Sequence, residues 1–209
     1  MQEKKYKVGI MGGTFDPIHI GHLILGETAY EQFSLDKVLF MPAGNPPHKR
    51  KREGRATDEQ RSQMVALAIQ DNPHFELSLV EMNPNEYSYT YRTLERLNSE
   101  NPDVQYYFII GADSLCDFDT WMEPARICKA ANIVIATRKH MVDFELDGRI
   151  ADLTQKFNGE FHKLDSLNID ISSGMLRDWI KNNRTVKYYL PDAVNAYVEA
   201  GNIYQHKEV

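Results

Sequence analysis

Cysteine is scarce: Cys116 and Cys128 are the only two in 209 residues. A small scaffold held together by disulfides is excluded, because such chains are short and cysteine-dense. No Cys-x-x-Cys or Cys/His finger spacing occurs, so no motif for structural zinc is present. Long apolar runs are also missing. Tyr106 to Ala112 and Ile133 to Ala136 are strand-sized and fall far short of the roughly 20 residues of a membrane helix. The opening Met-Gln-Glu-Lys-Lys-Tyr-Lys passes into Val8-Gly9-Ile10-Met11, too short and glycine-rich for a signal-peptide core. Basic excess is lacking as well: 24 Lys and Arg stand against 30 Asp and Glu, a formal charge of -6. A non-specific nucleic-acid binder usually carries the opposite balance. These absences together lead to the expectation of a cytoplasmic protein with neither nucleic acid nor membrane as partner.

What is present is ordinary globular composition, 42% hydrophobic and 26% charged. A chain this long buries about 70% of its unfolded surface, enough for its own core. There is no internal repeat, no low-complexity linker and no break in composition. One domain over 1–209 is expected, with C-terminal helices from about 173 packed on the same core. Strand and helix patterns alternate along it. Tyr6 to Met11, Lys37 to Pro42, Val104 to Ile110 and Ile133 to Thr137 are continuous apolar runs, and Phe75 to Val80 alternates. Phe161 to Ile171 carries one or two further short strands. Helical spacing covers Ile18 to Phe33, with Pro17 opening the helix and Asp16 as its N-cap. Thr57 with Gln60 makes a capping box before a second helix. Helices are expected again over Tyr91 to Asn98, Glu123 to Ala131, Asp143 to Phe157, Ser173 to Asn182 and Pro191 to Ala200. Continuous apolar strands alternating with helices indicate a single doubly wound (Rossmann-like), mostly parallel α/β sheet covered on both faces. Ligands on such sheets bind beyond the carboxyl ends of the strands.

The first strand runs out into Gly12-Gly13-Thr14-Phe15-Asp16-Pro17-Ile18-His19-Ile20-Gly21-His22. Glycines allow close backbone approach, and a following helix N-terminus offers N–H groups and a positive dipole end to an anion. His19 and His22, three residues apart, project from one helix face. Backbone donors, the Thr14 hydroxyl and two imidazoles suit a polyphosphate. A dinucleotide fingerprint fits worse, because G-x-G-x-x-G is absent and the second strand ends in Pro42-Ala43-Gly44 rather than an acid. A metal held by both histidines would need Asp16 or His48 as well. Histidines with only a structural role are the third reading. The basic run around His48, Lys49, Arg50, Lys51, Arg52 and Arg55 reads as a solvated loop, or as a lid over polyphosphate led by Lys49.

GGTFDPIHIGH resembles the H-x-G-H signature of the nucleotidyltransferase superfamily. Ile171-Ser172-Ser173-Gly174-Met175-Leu176-Arg177 is similar to its late I-S-S-T-x-I/L-R motif, with Gly174 departing from the usual hydroxyl residue. Pro46-Pro47-His48-Lys49, Arg61 with Met64, Ser88 to Leu94, and Gly111 to Leu115 with Phe118 and Trp121 resemble the bacterial nicotinate-nucleotide adenylyltransferases over nearly the whole chain. The resemblance implies adenylyl transfer from ATP, with Mg2+ bound mainly through the ATP phosphates, to nicotinate mononucleotide. The products would be deamido-NAD and pyrophosphate, a step of NAD biosynthesis. It further implies His19, His22, Lys49 and Arg177 as catalytic groups. The ATP contacts would be Gly12, Gly13, Thr14, Phe15, Gly111, Asp113, Arg138, Ser172 and Ser173. Tyr89, Thr90, Trp121 and Lys49 would take the second substrate. Arg138 is followed by Lys139-His140 rather than the family's frequent proline and glycine. No dedicated metal site is implied, and a homodimer is compatible. Another H-x-G-H adenylyltransferase, acting on nicotinamide mononucleotide or phosphopantetheine, and a non-catalytic nucleotide-binding module are the rival readings.

Overall fold

The computed structural model describes residues 6–44, 54–83, 87–136, 143–167 and 169–205. Six strands form one sheet: β1 (Tyr6–Gly13), β2 (Lys37–Pro42), β3 (Phe75–Leu77), β4 (Val104–Gly111), β5 (Asn132–Ala136) and β6 (Phe161–Leu164). Their order is β3-β2-β1-β4-β5-β6, and every pairing is parallel. The order reverses between β1 and β4, where consecutive crossovers leave in opposite directions; this is the switch point of a doubly wound sheet. Met11 pairs with Phe40 on one side and Ile109 on the other.

The strand side chains divide by the period of two. Met11, Val38, Phe40, Tyr107, Ile109 and Val134 enter one core. It is completed by α1 (Ile20–Gln32), α2 (Asp58–Ile69), α7 (Ser173–Lys181) and α8 (Asp192–Ala200). Val8, Ile10, Phe108, Ile110, Ile133 and Ile135 enter the other. That face is covered by α3 (Thr90–Glu100), α4 (Ala112–Cys116), α5 (Pro124–Ala130) and α6 (Asp143–Phe157). Both faces are buried, which is why the strands read as unbroken apolar runs.

Two expectations are corrected. Asp16 does not cap α1: the helix begins at Ile20 with His19 at its N-cap, and Asp16 precedes Pro17 through a cis peptide bond. The carboxyl group turns inward, where several donors compete for it. The strand expected over Phe75 to Val80 stops at Leu77, since β3 is the sheet edge and Leu79 is solvent-exposed. Between Phe161 and Ile171 one strand, β6, forms among the described residues, within the one or two expected. The Thr57–Gln60 capping box is present with both reciprocal bonds, at 2.9 and 3.2 Å. No disulfide joins Cys116 to Cys128.

Candidate active site

β1 ends at the switch point, and its last residues are shaped by packing. A Cβ on Gly12 would lie 3.3 Å from the Phe108 ring, and one on Gly13 would lie 3.1 Å from the Phe15 ring. Both glycines belong to the strand rather than to a turn, so they make room for aromatic rings. The turn itself falls on Phe15, whose φ of 49° is left-handed. For a residue with a Cβ that conformation costs about 1 kcal/mol or more. The ring, 2% exposed, is held edge-on against His22, centroids 5.0 Å apart, and against Phe40.

The two histidines meet as their spacing implied. Their rings stack with centroids 3.7 Å apart. The His19 backbone N–H donates to His22 Nδ1 at 3.2 Å. A neutral imidazole accepting at Nδ1 carries its proton on Nε2, and so offers a donor there. His19 is buried beneath His22. A Cβ on Gly21 would come within 3.1 Å of the His19 ring, so Gly21 gives space to that imidazole.

A cavity of about 440 Å3 opens at the carboxyl ends of β1 and β4. Its size is that of a small-molecule site. Gly12, Thr14, Phe15, His22, Gly111, Asp113, Trp121, Ser173 and Arg177 line it as expected from the sequence. Ser114, Gly174, Asp16 and Arg55 line it too. A Cβ on Gly111 would meet nothing within 4 Å, so no neighbouring atom requires glycine there. Trp121 packs obliquely on Phe118 and edge-on to Phe108, leaving it half-buried at the rim.

Asp16 is the centre of this corner. Its carboxylate, 1% exposed, accepts from Arg55 Nη1 at 2.9 Å, the Ala56 backbone N–H at 3.1 Å and the Tyr204 hydroxyl at 2.7 Å. Arg177 donates to the Asp16 carbonyl and lies 3.7 Å from its carboxylate. Burial lowers the Arg177 pKa, and Asp16 opposes that shift. Burial and then Asp16 raise the Tyr204 phenol, so it remains a donor. Arg61 on α2, 4% exposed, donates to the carbonyls of Thr14 and Ala43 and to Asp58. It ties the exits of β1 and β2 together.

Ser172 and Ser173 are engaged within the protein, and the remaining expected residues among those described lie elsewhere. Ser172 caps α7 by accepting from the Met175 N–H at 3.2 Å, and the Ser173 hydroxyl donates to the Pro17 carbonyl at 2.8 Å. Tyr89 lines a separate cavity of about 80 Å3 with Glu81, Thr93 and Arg92. Burial raises the Glu81 carboxyl there, and the Thr93 hydroxyl opposes the shift. Thr90 lines neither cavity and opens α3. Lys49 and Arg138 lie outside the described residues. Sequence reading assigned Arg55 to a solvated loop and gave Tyr204 no role. The only available signal was a lone acid, Asp16, beside the histidine motif.

The cytidylyltransferase-like family model matches residues 10–179. A relative from Lachnoclostridium phytofermentans, named "probable nicotinate-nucleotide adenylyltransferase", is 41% identical over 192 residues, covering 92% of this chain and 96% of its own. One from Thermoanaerobacter with the same name is 38% identical over 208 residues, covering 99% and 98%. Among solved structures, nicotinic acid mononucleotide adenylyltransferase of Plasmodium falciparum in complex with NaAD superposes with a TM-score of 0.77. It shares 20% identity and covers 95% of this chain and 97% of its own. A second structure of that enzyme, complexed with APC, gives 0.74 at 21% identity, covering 96% and 98%. The sequence motifs, the sheet order and the cavity at the switch point thus agree with the relatives in placing this chain in the cytidylyltransferase-like family, among proteins named nicotinate-nucleotide adenylyltransferase.

Proposed function

We propose that this chain transfers the adenylyl group of MgATP to nicotinate mononucleotide, releasing pyrophosphate and forming deamido-NAD. The observation that carries the reading is the cavity at the β1/β4 switch point, lined by His22, Thr14, Arg177 and Trp121. The named relatives at about 40% identity over nearly the full chain support the same substrates.

A phosphate oxygen of the mononucleotide attacks the α-phosphorus of ATP in line, forming the new P–O bond as the bond to pyrophosphate breaks. The attacking phosphate is ionised near neutral pH, so no general base is required. The chain's task is then to position two polyanions and to stabilise the charge that develops. His22 donates to the α-phosphate, with His19 stacked behind it as its support. The Thr14 hydroxyl and backbone hold an adjacent oxygen, and Arg177 balances charge on the leaving pyrophosphate. The donors are imidazole, guanidinium, hydroxyl and backbone N–H, which suit phosphate oxygens. Mg2+ would be held mainly by the ATP phosphates and would offset their charge, in accord with its preference for phosphate oxygens over all-protein cages. Trp121 offers a flat face to the pyridine ring. Lys49 and Arg138 belong to this reading on sequence grounds alone. So does a cytoplasmic location, while residues 1–209 act as one domain. The packing of Leu176, Val194 and Val198 into the same core as Met11 and Phe40 supports the last of these.

Pyrophosphate release measured with ATP and a panel of nicotinate mononucleotide, nicotinamide mononucleotide and phosphopantetheine tests the reading. Turnover is expected to be fastest with the nicotinate substrate. Preference for phosphopantetheine, or release with none of the three, overturns it.

A further inference from the structure

A buried carboxylate next to a cavity read as holding polyphosphate is at first sight adverse, because it repels the ligand. Asp16 is such a group, 1% exposed and among the lining residues. Its surroundings reverse the sign. Arg55 bonds it through Nη1 at 2.9 Å, and Arg177 lies at 3.7 Å while donating to the Asp16 carbonyl. Two guanidinium groups against one carboxylate leave the Asp16 corner of the cavity net positive, with the second lining carboxylate, Asp113, on a different element, α4. Both arginines line the cavity themselves. A guanidinium has five N–H donors in a fixed fork, and Asp16 takes only part of that set from Arg55. The Arg55 side chain remains 31% exposed. The Ala56 N–H and the Tyr204 hydroxyl fix the carboxylate from two further directions. Oriented charge of this kind costs little reorganisation when an anion arrives.

We propose that Arg55 is a polyphosphate-binding residue of the cavity, held in place by Asp16, which orients Arg55 and Arg177 together as a two-arginine clamp on the departing pyrophosphate. Asp16 is the positioning residue of the pair. The inference rests on the adenylyl-transfer reading for the identity of its anion. An ion pair serving the fold alone would move stability and leave anion affinity untouched.

The test uses the full chain and inorganic tripolyphosphate as probe, followed by calorimetry at several salt concentrations. Arg55→Ala is expected to weaken tripolyphosphate binding about tenfold and to flatten its salt dependence, since one phosphate contact is removed. Arg55→Lys should restore part of the affinity, because the charge returns without the fork. Asp16→Asn gives the sharpest contrast. Removing a negative charge would tighten anion binding by Coulomb's law, whereas a lost anchor loosens it; the clamp requires loosening. Unchanged tripolyphosphate affinity in Arg55→Ala overturns the proposal, and so does tighter binding in Asp16→Asn. If Asp16→Asn fails to fold, the Arg55 pair decides alone. Failure of the wild-type chain to bind tripolyphosphate also overturns the clamp. Pyrophosphate release by the wild-type chain is scored separately and bears only on the proposed reaction.

Discussion

At the scale of single residues the corner separates groups kept for packing from groups kept for a ligand. Gly12 and Gly111 are both glycines at strand ends lining the cavity, yet only Gly12 faces a ring within 3.3 Å. Gly111→Ala is therefore expected to fold normally, with a stability cost of about 1 kcal/mol or less at an N-cap. The added methyl narrows the cavity, so KM for ATP should rise about tenfold. Steady-state kinetics beside a thermal melt check this, and a lowered Tm with unchanged KM would assign Gly111 to the fold. His22→Ala removes one preorganised donor, and its kcat is expected to fall about 100- to 1000-fold while the circular dichroism spectrum is retained. Near-normal turnover in that variant would remove His22 from the mechanism. The thiols give a pH prediction. Burial pushes Cys128 up to about 11 from its ordinary 9.0. Folding thus favours the protonated thiol: this contribution to stability is intact below pH 9 and is lost as pH rises toward 11. Iodoacetamide at pH 8 is expected to label Cys116, which is exposed, and to spare Cys128. Mass spectrometry of the labelled peptides reads the outcome.

At the scale of elements, α2 does more than cover the sheet. Its start is set by the Thr57–Gln60 box, and one turn later it delivers Arg61 to the carbonyls at the exits of β1 and β2. A frayed N-terminus would release those carbonyls and with them Thr14. Thr57→Ala is expected to cost about 1 kcal/mol, lowering Tm by about 2–4 °C in a chain of this size. A variant that melts like the wild type would show that the box contributes nothing measurable. The box was legible because its two residues are local, three apart. Arg61's role was not, because its partners are 18 and 47 residues away. The same division explains α1. Helical periodicity placed the element, but its first residue depended on Asp16 turning inward toward donors from Arg55, Ala56 and Tyr204. No window around Asp16 contains those groups.

At the scale of the whole molecule, the sheet was readable because both faces are covered, which turns strands into apolar runs that alternate with helices. The switch point followed from that pattern, and the glycine–histidine motif fell on it. Most of the expected lining residues line the cavity there. The chain's late segments were not readable as parts of that corner. Asp16 bonds Tyr204 across 188 positions of sequence and Arg177 across 161. Ile203 and Tyr204 are buried in the same core as Met11 and Phe15, so these two residues back the site from behind. Two effects of Tyr204 can be separated. Tyr204→Phe removes only the hydroxyl that Asp16 accepts at 2.7 Å. An unmet buried acceptor costs about 1–3 kcal/mol, and ATP affinity should fall with it as Asp16 loses one anchor. Ending the chain at Asn202 removes the ring and Ile203 as well, at a further cost of several kcal/mol of lost core burial. The expected order in Tm is wild type, then Tyr204→Phe, then the shortened chain, with ATP KM rising in the same order. If the shortened chain binds ATP as tightly as the wild type, the C-terminal segment stabilises the fold without shaping the site.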